Sequence, residues 1–190
     1  MLEKLLERVK ETRIFQFGLT KPSEISYLQE IRDICQGNSC RQYETTWACP
    51  PAVGTIEECR NRCMQYNTML VFTGKFMLKN SFDYKGMIRG MMDFKQIARE
   101  LESAVKPFLK DYLILSNEGC GICKTCTYPH ASCRFPEQLH HSIEGYGIIV
   151  SDLAKQTGIN YNNGENSVTY FGALLFNDTD ILVCDENFPL

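Results

Sequence analysis

The chain predicts an α/β fold: one domain over residues 1–190, built as a small mixed sheet flanked by helices, with cysteine-rich metal-binding loops at about 35–63 and 119–136. Three observations carry this. Short β-prone runs are separated by amphipathic helical stretches. No internal repeat or low-complexity tract divides the chain. Its 190 residues, 44% hydrophobic and 11% aromatic, suffice for one buried core.

Leu2, Leu5, Leu6 and Val9 recur at helical spacing between charged residues and predict an amphipathic first helix. Residues 13–19 read as a strand. Pro22 and Ser23, then Ile25, Leu28, Ile31 and Ile34, predict a second helix that Ser23 caps and Gly37 ends. Periodicity vanishes over 38–54, where Pro50 and Pro51 fix the backbone and remove donors, so an ordered loop is expected. Thr55 followed by Glu58 is a capping box for a third helix that places Cys59 and Cys63 on one face. Residues 68–76 are apolar and β-prone. A long helix is expected from after Ser81 to about Val105, with Met87, Met91, Phe94, Ile97, Ala98 and Leu101 as its buried stripe and Pro107 beyond its end. A short strand at 112–115 leads into Gly119-Cys120-Gly121. A last helix is expected over 142–156, capped by Ser142 and stopped by Gly158, before a final strand at 168–176.

Composition narrows the function. Twenty Lys and Arg against 23 Asp and Glu give a net charge of -3, with no basic block, so nucleic-acid binding has no electrostatic footprint. No apolar run approaches the roughly 18 residues of a membrane span. The N-terminal MLEKLLERVKETRIF lacks the uninterrupted apolar stretch of a signal peptide, and a cytoplasmic protein is expected. Ten cysteines in a reducing compartment point to metal ligands or reactive thiols rather than disulfides. No catalytic Ser-His-Asp order, P-loop or dinucleotide fingerprint is present.

The sharpest motif is Cys120-x2-Cys123-x2-Cys126, with Cys133 after six intervening residues. Cysteines at this spacing let a loop curl around a [4Fe–4S] core and present thiolates to different irons, with a fourth ligand from elsewhere, for which Cys133 is nearest. Gly119 and Gly121 permit left-handed backbone beside Cys120, and Lys124 offsets part of a cluster's negative charge. A zinc site of four cysteines is the alternative, although such sites favour two separated pairs. A Cys120/Cys123 redox couple is a third reading.

The second constellation is looser. Cys49 precedes Pro50-Pro51, eight residues separate Cys40 from Cys49, and nine separate Cys49 from Cys59. Cys49 would complete the first cluster or, with Cys40 and Cys59, anchor a second; scattered buried thiols are the competing reading. Cys63 is undecided, and Cys35 and Cys184 are expected to be small core residues. Ser142-Ile-Glu-Gly-Tyr-Gly-Ile places Glu144 either in a site or at a helix N-terminus. The vicinal His140 and His141, with His130, are expected to be solvated. Trp47 and Tyr43 would shield a cluster or pack the loop, and Met87, Met91 and Met92 read as core.

Three stretches together are distinctive: Cys40 with Trp47-Ala-Cys49-Pro-Pro, the Cys120 triplet, and Cys133-Arg-Phe-Pro-Glu with the Ser142 segment. In them the chain resembles an uncharacterised bacterial and archaeal family of predicted metal-binding proteins, from about Cys35 to Phe176. The resemblance implies metal binding and carries over Cys40, Cys49, Cys120, Cys123, Cys126 and Cys133 as ligands. The resulting expectation is a protein holding one or two [4Fe–4S] clusters, in electron transfer with a redox partner protein or as an accessory to a redox enzyme. A zinc-stapled structural or interaction module is the alternative. Oligomeric state has no signature in the sequence.

Overall fold

Alternate residues of the central strands face opposite ways, and each face is apolar, so the sheet must be covered on both sides. The structure, a computed structural model describing residues 1–182, meets that demand with a five-stranded mixed sheet. The strands are β1 (Gln16–Thr20), β2 (Thr68–Met77), β3 (Tyr112–Ser116), β4 (His141–Ser142) and β5 (Ser167–Phe176). Their order is β1-β2-β5-β3-β4, antiparallel throughout except for the parallel β3/β4 pair.

One face carries Leu70, Phe72, Ile114, Leu174 and Phe176 and packs on α1 (Leu2–Lys10) and α4 (Tyr84–Val105) through Leu5, Val9, Phe94, Ala98 and Leu101. The other carries Met69, Val71, Leu115, Ala173 and Leu175. It packs on α3 (Ile56–Cys63), α5 (Val150–Thr157) and the turn around Tyr146. α2 (Gln29–Gln36) lies outside this second layer. No helix among the described residues is long and apolar enough to cross a membrane.

Most elements form where the periodicity places them. The Thr55 capping box is complete: Glu58 N–H donates to Thr55 Oγ1 (3.1 Å) and Thr55 N–H to Glu58 Oε2 (2.7 Å). Cys59 and Cys63 are both buried beneath α3.

Two helices differ. Pro22–Glu24 forms only a 3-10 turn, and the chain stays extended to Leu28, whose N–H donates to Gly147 O at 2.8 Å. That tertiary bond delays α2 to Gln29, so Ser23 caps no α-helix. The helix expected over 142–156 is divided. Ser142 lies in β4, Glu144–Tyr146 makes a 3-10 turn, and Gly147 at φ +74° turns the chain before α5 starts at Val150. Ser142 still caps, accepting from Gly145 N–H at 3.1 Å, but it caps the short turn.

The α2 stripe is also not core. Ile34 is 69% exposed, Cys35 is half-buried, and the buried residue of that helix is Arg32. Cys184 lies outside the described residues.

Candidate metal centre

Both cysteine loops gather at the end of the β3/β4 pair. β3 runs out through Asn117 into Cys120, while the 38–54 loop crosses beside β4. Three bonds fasten this junction: Ser142 N–H to Ala48 O (2.8 Å), Ile143 N–H to Ser116 O (2.8 Å) and Gly119 N–H to Cys49 Sγ (3.2 Å).

Cys120, Cys123, Cys126 and Cys133 all line one cavity of about 330 Å³. Each of these four thiols is half-buried. The loop returns on itself through Arg134 Nη1 to Thr125 O (2.9 Å), Thr127 Oγ1 to Ser132 O (2.8 Å) and Ala131 N–H to Thr127 O (3.0 Å). Those bonds bring Cys133 back to the triplet. Trp47 joins the loops, donating from Nε1 to Ala131 O at 3.1 Å and packing edge-on against Tyr128 at 4.9 Å. It also lines the cavity, so it packs the loop and walls the thiols at once. Gly119 and Gly121 take φ +70° and +76°, as the sequence predicts.

Beneath the loop is a residue that the sequence reading passed over. Lys95 is 4% exposed on the inner stripe of α4. Its ammonium donates to the carbonyls of Asn117 (3.3 Å), Glu118 (2.7 Å) and Gly119 (3.0 Å) and to Asn117 Oδ1 (2.9 Å). Four acceptors offset its burial, which still lowers its pKa. The signal was legible: position 95 falls between Met91 and Ala98 on the apolar stripe, where an unpartnered lysine would be costly. Burial pushes the Cys120 thiol up, while the Ile122 N–H, Lys95 and Arg99 pull it back.

Cys40 and Cys49 line a second cavity of about 410 Å³, between α2 and the start of α5, together with Cys35. Gln42 lines both cavities. Burial raises the Cys35 thiol to about 11, with the Glu144 charge adding to it, and burial also raises Cys49. Glu144 lines this cavity, and its Oε2 is buried and unpartnered. Burial, reinforced by Glu118, lifts its carboxyl to about 7 against a weaker opposing pull from Lys95.

Cys59 is not brought to either cavity. Its Sγ accepts from Arg32 Nη2 (3.4 Å) and Arg62 Nη2 (3.2 Å), inside the core. His140 and His141 are not solvated as the sequence reading expects. His140 Nε2 is 2.9 Å from Glu102 Oε2, and His141 Nδ1 is 2.9 Å from the Tyr146 hydroxyl. Among the described residues, no three His, Cys, Asp or Glu side chains stand at the spacing of a formed metal site. The four loop thiols surround their cavity without converging on a point.

The family model described as a predicted metal-binding protein (DUF2284) matches residues 19–176. The chain belongs to this family. Its members' function is unknown, so membership supplies a predicted metal and no reaction. No curated protein matches the chain. No solved structure matches it. The family match spans the whole of both cysteine loops and leaves out α1, the first three residues of β1 and the chain beyond 176.

Proposed function

We propose that the cavity lined by Cys120, Cys123, Cys126 and Cys133 holds a [4Fe–4S] cluster and that the protein passes single electrons to or from a partner protein. The observation that carries this reading is the return of Cys133, seven residues beyond the triplet, to the same cavity as the other three. Four thiols on one loop are a suitable donor set, and three of them keep the x2 spacing that suits a cubane. Closing them on a common core calls for movement of half-buried thiols, including rotations about Cα–Cβ. Such rotations cost little beside the free energy of thiolate–metal bonding.

The cluster, when bound, supplies one-electron exchange. The chain's own residues set the conditions for it. Lys95 locks three successive carbonyls below Cys120 and brings a positive charge under the loop. Lys124 and Arg134 also line the cavity, and cations there favour the negative charge of a thiolate-bound centre. Trp47 and Phe135 add aromatic surface to its lining.

Protein prepared without oxygen is expected to show broad visible absorption that bleaches on reduction, together with a paramagnetic signal from the reduced state. Colourless protein holding stoichiometric zinc and no sulfide would replace this reading with the structural one.

A further inference from the structure

The second cavity has a different chemistry and, we propose, a different occupant: it binds a neutral, largely apolar organic molecule that presents a hydroxyl group to the Glu144 carboxyl. Its volume, about 410 Å³, lies within the range of small-molecule pockets. Ile31, Ile34, Ile148, Ile149 and Val150 supply an aliphatic part of its wall, from α2 on one side and the start of α5 on the other. Ile34 is 69% exposed and Tyr161 49%, so apolar surface lies open to water on the cavity lining. Exposed apolar side chains around a concavity mark a surface that gains by being covered.

Inside, the polar groups are few. Ser142 Oγ already accepts from Gly145 N–H and Cys49 Sγ from Gly119 N–H. Glu144 Oε2 is the group left over: buried, without a hydrogen-bond partner, and on a residue that lines the cavity. A buried polar atom without a partner costs free energy that a ligand recovers by supplying one. A hydroxyl suits this carboxyl in either protonation state, since it donates to a carboxylate and accepts from a carboxylic acid. The lining contains Glu118 and Glu144 and no Lys, Arg or His, which disfavours an anion. Its hydrocarbon wall disfavours a strongly hydrated cation. This inference stands whether the other cavity holds iron, zinc or nothing.

The test is a titration of the as-isolated protein, followed by isoleucine-methyl NMR, with three probes of one size: benzyl alcohol, benzoate and benzylamine. Benzyl alcohol is expected to shift the Ile31, Ile34, Ile148 and Ile149 methyls saturably, with a Kd of roughly millimolar order for so small a probe. Glu144→Leu should weaken it by about tenfold, the loss of one hydrogen bond to a carboxyl. Ile34→Trp, at an exposed position where folding is not at stake, should block entry. No saturable shift, undiminished binding in both variants, or equal or tighter binding of benzoate or benzylamine would overturn the proposal; the last would mark a charged-ligand site.

Discussion

Two cavities lie side by side at one end of the sheet, share Gln42, and differ in the sign of the charges around their thiols. Around Cys120, Cys123, Cys126 and Cys133 the lining includes Lys124 and Arg134, with Lys95 buried behind. Around Cys35, Cys40 and Cys49 the lining has two carboxylates and no base, and the Cys35 thiol is held protonated far above neutral pH. The two proposals rest on this contrast: a metal where the lining carries cations, a neutral occupant where it carries carboxyl groups. Burial raises Cys35 and Cys120 alike; the neighbouring charges differ in sign, Glu144 adding to the rise at Cys35 while Lys95 and Arg99 oppose it at Cys120.

The largest expected difference is in metal content. Cys123→Ser should leave the protein with almost no bound metal and lower its stability, because a metal site's binding energy is partly folding energy. Cys40→Ser, on the exposed rim of the other cavity, should keep the metal. Elemental analysis of both variants breaks the comparison if Cys40→Ser loses as much as Cys123→Ser.

Next come the pH effects, on the order of 3 kcal/mol each. The Glu144 carboxyl is raised from 4.5 to about 7, so its contribution to stability is complete below pH 4.5 and is lost as pH rises through 7. His141 is lowered from 6.5 to about 4 by burial, with Arg62 adding to the effect. Its contribution is complete above 6.5 and is lost as pH falls through 4. Denaturant unfolding of Glu144→Gln should therefore show no decline between pH 5 and 8 from this group. His141→Gln should flatten the acid limb.

Lys95→Met should cost about 2–3 kcal/mol by leaving the carbonyls of Asn117, Glu118 and Gly119 unpaired. It should also weaken metal retention in the first cavity, measured by chelator challenge, without altering binding in the second.

The smallest effects compare two glycines of the same backbone class. Gly121 (φ +76°) and Gly158 (φ +70°) both pay about 1–2 kcal/mol on replacement by Ala. A Cβ at Gly121 also meets Met92 Cε at 2.9 Å, whereas at Gly158 it meets nothing within 4 Å. Metal retention should fall for Gly121→Ala alone. Equal retention would detach the loop's backbone from its thiols.

The sequence made β1, β2, β3 and β5 and α1, α3 and α4 legible because their signals are local: alternation, an apolar stripe, a capping box; the two-residue β4 fell inside an expected helix. The starts of α2 and α5 were not, since the bond from Leu28 to Gly147 and the turn at Gly147 are set between distant segments. The triplet and Cys133 were legible as spacing. The second cavity was not, because Ile31, Ile34 and Cys35 carry the same pattern whether a helix face meets the core or an opening. Lys95 sits on an apolar stripe, and its acceptors, the carbonyls of Asn117, Glu118 and Gly119, come from a distant segment that no local pattern reveals.

The central claim is tested most directly by iron, zinc and acid-labile sulfide analysis of protein purified without oxygen. Iron and sulfide in equal amounts at the stoichiometry of a [4Fe–4S] cluster, abolished by Cys123→Ser, is the result this account predicts. Zinc without sulfide, or metal that survives Cys123→Ser, would contradict it.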